Sequence, residues 1–109
     1  MGLPLFSERR MTIRKSLTGL LPGRLQTIEG QDIACRPLNV SIHGLGIISD
    51  HRLETDSTVT FTVQDKIIEL KIAWSQPGFG KRDLFRYGLV ATDQNVNIEQ
   101  IFLDNGCLK

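Results

Sequence analysis

The sequence predicts an all-β domain, a small six-stranded antiparallel barrel with a flexible N-terminal arm and a short C-terminal helix. Short stretches that alternate apolar and polar residues, rich in Val, Ile, Thr and Phe, recur from residue 24 onward. Gly, Pro, Asn and Asp separate these stretches at close spacing, which is typical of antiparallel strands joined by turns. Because closure removes the exposed edges of a sheet, six such strands in 109 residues favour one small barrel.

The predicted arm, residues 1–23, precedes the barrel and helix of residues 24–109. Two prolines and several glycines interrupt the arm, and its apolar residues follow no steady period. Positive charge is concentrated at this end of the chain. Residues 1–24 contain five Lys and Arg against one acidic residue, whereas the rest contains eight against eleven, although the whole chain carries only +1. This asymmetry leaves room for a local basic site and is the first indication of function.

The first three predicted strands are short. Residues 24–29 form the first strand, which Gly30 ends, and residues 32–40 form the second. Pro37 has no N–H to donate, so the second strand is expected at an edge or a bulge. The third strand covers residues 45–48.

The next two strands have the clearest alternation. In residues 58–63, three apolar residues face inward and the threonines face outward. Asp65-Lys66 is the predicted turn to the antiparallel partner, residues 68–74, whose inward residues end with Trp74. A loop over residues 76–83 then leads to the last strand, residues 84–92.

The period changes near the C-terminus. Ile98, Ile101 and Phe102 have the i, i+3, i+4 spacing of a short amphipathic helix that closes one end of the barrel. Asn97 is the expected N-cap, with Gln100 three residues later as in a capping box. Asn105-Gly106 is expected to end the helix.

Composition limits the function classes. The longest apolar run is residues 44–48, and residues 1–10 lack the charge order of a secretory signal, so we expect a cytoplasmic protein without membrane insertion. The two cysteines form no CxxC pair and are expected as buried residues or free thiols. His43 and His51 lack surrounding metal ligands, and Ser41 and His43 lack an orienting acid. We therefore predict no enzyme, no cofactor and no metal.

Two clusters favour anion or nucleobase recognition. Arg9, Arg10 and Arg14 place three guanidinium groups within six residues, and the last two share a face if this segment is helical. A guanidinium binds phosphate or the O6/N7 edge of guanine through two hydrogen bonds. The second cluster contains Asn39, Ser41 and Gly44, which are two short polar side chains and a glycine that permits close approach. Taken singly, the first cluster is more typical of a solvated arm and the second of an ordinary turn.

Together the clusters resemble the PilZ family, stand-alone single-domain type. Its signature is RxxxR followed by [D/N]xSxxG, and residues 10–14 and 39–44 match these two motifs in order. The Trp74 strand end and the strand around Gly88 are also similar to the family. The resemblance covers residue 8 to the end and implies a bacterial receptor for the second messenger cyclic di-GMP.

The resemblance implies a binding site formed by Arg9, Arg10 and Arg14 with Asn39, Ser41 and Gly44. Arginine at the position of Arg9 implies two stacked ligand molecules per chain. It also implies an adaptor that signals to an unidentified protein effector.

Two alternatives stay open. One is a PilZ-like protein-interaction module without nucleotide, although this chain keeps the motif residues that such modules typically lose. The other is a small β-barrel that binds nucleic acid, which is disfavoured by the 6% aromatic content and the acidic barrel.

Overall fold

The computed structural model describes residues 17–77 and 83–108 and confirms the all-β class, the six antiparallel strands and the C-terminal helix. Residues 1–16 of the predicted arm, which include all three motif arginines, lie outside the described residues. The elements are β1 (Arg24–Thr27), β2 (Cys35–Val40), β3 (Gly44–Ser49), β4 (Thr58–Val63), β5 (Lys66–Pro77), β6 (Phe85–Ala91) and α1 (Ile98–Asp104).

The six strands form one curled, half-barrel sheet with the order β1-β4-β5-β6-β3-β2. Every neighbouring pair is antiparallel. After β1 the chain turns back beside it, and the Ile33 N–H donates to the Leu25 carbonyl at 2.9 Å. This contact brings the start of the β2 segment beside β1, so the two edges of the sheet approach each other.

The second strand is at a sheet edge, as Pro37 predicted. An edge strand has a neighbour on one side only, so a proline there can turn its nitrogen away from the ladder. The register with β3 also shifts between Pro37 and Asn39, which marks a β-bulge. Regular pairing of β2 with β3 begins only at Cys35, because the chain turns at residues 28–31 and then runs back beside β1, with a bridge between Gln26 and Asp32.

The inner face of the sheet carries the core. Val59, Phe61 and Val63 are buried, which confirms the alternation predicted for β4. The turn that follows consists of Gln64 and Asp65, because Val63 pairs with Lys66, so the predicted Asp65-Lys66 turn was wrong by one residue. Gln64 adopts a left-handed backbone with φ 55° in this turn.

Trp74 corrects the sequence prediction, because it lies on the outer face of β5 and is 42% exposed. The predicted alternation is correct as far as Ile72, since Ile68, Leu70 and Ile72 all face inward and are buried. Between Ile72 and Trp74 the pairing with β6 then slips by one residue. One extra residue in a strand reverses the side of every residue after it, which turns Trp74 outward.

Both cysteines are free thiols, as expected. Burial raises the pKa of Cys35 to about 11 and also raises the pKa of Cys107. Both side chains therefore stay neutral at physiological pH, and a thiolate nucleophile is disfavoured at either position.

Helix α1 packs one face against the core. Ile98 and Phe102 are fully buried, and the Ile98 N–H donates to the carbonyl of Ile42 at 2.7 Å. At the C-terminal end, Asn105 is the C-cap and Gly106 has the expected positive φ of 72°. The helix therefore braces the turn between β2 and β3. Within the described residues, no helix is long and apolar enough to cross a membrane.

Asn97 caps α1 as predicted, because its Oδ1 accepts from the Gln100 N–H at 2.9 Å. The reciprocal half of the capping box does not form, since the Gln100 side chain donates to Asp104 instead, at 2.8 Å.

Replacing this cap is expected to destabilise the fold modestly. Asn97→Ala leaves a helix N–H without its acceptor, which costs about 1 kcal/mol. Urea unfolding should show a lower midpoint with an unchanged slope. Asn95→Ala is the matched control, because Asn95 is exposed two residues earlier and does not cap the helix. Equal midpoints for Asn97→Ala and the unmodified chain would contradict this role of the cap.

Candidate functional site

The hairpin between β2 and β3 places the second motif on the outer face of the sheet. The Ser41 N–H donates to the Gly44 carbonyl at 2.9 Å, which closes a turn over residues 41–44. A Cβ on Gly44 would lie 2.9 Å from the Ser41 Oγ, so glycine leaves the space that this hydroxyl occupies. The structure brings together Asn39, Ser41 and Gly44, which all line one outer depression of about 210 Å³.

The turn is held firmly against the segment that leads into α1. The Ile42 carbonyl accepts from Ile98, and the His43 carbonyl accepts from Ala91 at 2.9 Å. The His43 ring adds a bond, since its Nε2 lies 3.0 Å from the Gln94 carbonyl oxygen and must donate to it. His43 therefore anchors the turn through Gln94. These bonds fix Asn39 and Ser41 on a prearranged support.

Asn39 begins a row of residues that crosses four strands. It pairs with Gly46 on β3, Gly46 pairs with Gly88 on β6, and Gly88 pairs with Trp74 on β5. All four residues line the same depression as Ser41 and Gly44. The row therefore has a polar side chain at one end, an aromatic one at the other and two glycines between them.

Neither Gly46 nor Gly88 has room for a side chain. A Cβ on Gly46 would lie 2.6 Å from the Asn39 Oδ1, and a Cβ on Gly88 would lie 2.2 Å from the Trp74 Nε1. Neither glycine has a positive φ, so the strand conformation itself admits any residue. The carboxamide and the indole lie directly over the glycine backbone. The Asn39 side chain covers Gly46, and the Trp74 side chain covers Gly88. We call this pair of side chains the Asn39–Trp74 platform.

The platform can recognise a planar, polar ring. Trp74 is the only tryptophan in the chain, and its exposed indole can stack on an aromatic base. The exposed Asn39 carboxamide offers one acceptor and two donor hydrogens. Neither it nor the Ser41 hydroxyl is bonded to another side chain among residues 17–77 and 83–108. None of the described residues that line the depression is acidic, which suits an anionic ligand.

The structure does not describe the other half of the predicted site. Arg9, Arg10 and Arg14 lie outside the described residues. Near them in sequence, the Thr18 N–H donates to the Cys107 carbonyl at 3.2 Å, so the described part of the arm begins beside the C-terminal segment.

Sequence reasoning missed the roles of Gly46, Gly88 and Trp74 in this site. One signal was available, because a glycine inside a strand often marks a close approach of other groups. Gly46 and Gly88 each interrupt an apolar stretch. The sequence does not predict that Gly46 and Gly88 pair across neighbouring strands, or that Trp74 lies on the outer face.

Compared with known proteins, the chain matches no family model, and neither a curated protein nor a solved structure matches it significantly.

Proposed function

We propose that this chain is a non-enzymatic receptor for cyclic di-GMP that signals to a protein effector. The observation that carries the proposal is the Asn39–Trp74 platform, which presents an exposed indole beside an exposed carboxamide. Its Asn39 end lies on the hairpin of the [D/N]xSxxG motif, which supports the resemblance to the PilZ family. The choice of cyclic di-GMP as the nucleotide comes from the resemblance and not from the platform.

A guanine base fits the chemistry of the platform. Stacking of a base on an aromatic side chain contributes about 1–3 kcal/mol. With its face on Trp74, the base would direct its polar edge toward Asn39, whose Oδ1 accepts from guanine N1–H or N2–H. Ser41, which lines the same depression, is available to a phosphate or to the base. Aspartate in place of Asn39 would offer two acceptor oxygens to the same edge.

The phosphates are assigned to the arginines of the first motif. Arg10 and Arg14 would bind phosphate and the guanine O6/N7 edge, as the resemblance implies. Contacts from both motifs to one ligand would join residues 9–14 to the hairpin. This joining would create the surface that the effector reads, at a cost of about 1–2 kcal/mol for each residue that becomes fixed.

Calorimetric titration with cyclic di-GMP tests the proposal directly, and GTP is the control. We expect saturable binding of cyclic di-GMP, and much weaker binding of GTP because it carries one base on a linear triphosphate. The absence of heat with cyclic di-GMP, for a chain shown to be folded by circular dichroism, would refute the proposed function.

The same titration is expected to saturate at two ligands per chain. A single cyclic di-GMP carries two phosphates, which Arg10 and Arg14 can bind, so Arg9 is available for a second stacked molecule. Arg9→Leu should lower the ratio toward one and leave the first binding event largely intact. Saturation of the unmodified chain at one ligand, well above the dissociation constant, would remove Arg9 from the site.

A further inference from the structure

A cationic side chain lies beside the platform on the same outer face of the sheet. Arg36 on β2 pairs with Ile48 on β3, two ladder positions from the pair of Asn39 and Gly46. Residues two positions apart along a strand point to the same side and lie about 7 Å apart. Arg36 and Asn39 are three residues apart in the sequence, but the bulge between Pro37 and Asn39 adds one extra residue to β2. Both side chains therefore point to the outer face of the sheet. Arg36 therefore flanks the Asn39 end of the platform.

The other described arginines already have partners. Arg24 forms an ion pair with Asp32 at 3.3 Å, and the Arg52 guanidinium lies 5.4 Å from the centre of the Phe85 ring. Arg86, in the same ladder row as Arg36, makes a contact of its own. Arg36 is exposed and forms no ion pair with any described residue. Its charge is thus available beside a surface suited to a planar ring.

We propose that Arg36 is a further ligand-binding residue that contacts a phosphate of the nucleotide whose base lies on the Asn39–Trp74 platform. This inference rests on the proposed function. A phosphate is attached to the base through the sugar, so it lies beside the stacked ring, and Arg36 is a cation beside the platform that forms no ion pair with a described residue. The backbone that carries Arg36 is already fixed in a paired strand, so only its side chain has to become ordered on binding.

Arg36→Ala should weaken cyclic di-GMP binding about tenfold, as expected for one partly exposed, charge-assisted contact. The affinity of the variant should also depend less on salt, because one screened charge pair is gone. Arg36→Lys should recover part of the affinity, since it keeps the charge and loses the planar fork. Arg24→Ala is the matched control, because Arg24 is an exposed arginine on the opposite edge strand. It should bind as the unmodified chain does.

The results separate this inference from the proposed function. If the unmodified folded chain does not bind cyclic di-GMP, the proposed function itself fails. If it binds, and Arg36→Ala binds equally well, only the contact at Arg36 is overturned. A loss of affinity that is the same at low and high salt would also overturn it, because a phosphate contact must weaken with screening.

Discussion

Asn39→Leu is expected to abolish measurable binding of cyclic di-GMP, with a loss of affinity greater than about 100-fold. The leucine side chain has a similar size and still covers Gly46, so the fold should be retained. It offers no acceptor to the guanine edge, and each donor left unsatisfied on binding costs about 1–3 kcal/mol. Calorimetry on the two folded proteins measures the difference.

Two variants make the interpretation of Asn39→Leu specific. Asn39→Asp should bind as well as the unmodified chain or more tightly, because a carboxylate accepts from both guanine N–H groups. Asn95→Leu makes the same chemical change at an exposed asparagine outside the depression and should leave affinity unchanged. If Asn39→Leu binds normally, the hairpin does not read the base.

Much of the fold could be predicted because most strands obey a period of two. The alternation in β4 identified its bounds and its inward residues without error. In β5 the same rule failed after Ile72, because a bulge is a property of how two strands pair. A sequence pattern records which residues are apolar, whereas the position of an extra residue depends on the partner strand. Trp74 was therefore assigned to the wrong face.

The candidate site shows the same limit on a larger scale. Asn39, Ser41 and Gly44 lie within six residues, so one local motif identifies them. The platform needs three separate registers, which bring Asn39 beside Gly46, Gly46 beside Gly88 and Gly88 beside Trp74. Those registers depend on the strand order, in which β6 lies between β3 and β5. Local patterns do not contain this order, because it is decided by the packing of the whole sheet.

Gly88→Ala is expected to weaken cyclic di-GMP binding about 5- to 150-fold without unfolding the protein. The new methyl group would lie 2.2 Å from the Trp74 Nε1, so the indole must leave its place on the platform. Loss of the stacked ring removes about 1–3 kcal/mol of binding free energy. The strand should tolerate alanine, because Gly88 has no positive φ and alanine has less conformational entropy to lose than glycine. Because Trp74 is the only tryptophan, its fluorescence should report the displacement before any ligand is added.

A double-mutant cycle distinguishes displacement of Trp74 from general damage to β6. Trp74→Ala alone should weaken binding by about as much as Gly88→Ala, because each variant removes the same stacking surface. In the Trp74→Ala background, Gly88→Ala should then cause little further loss, since no indole remains for the methyl group to displace. Additive losses would mean that Gly88 affects the ligand independently of Trp74, and the platform would have to be rejected as the place where the base stacks.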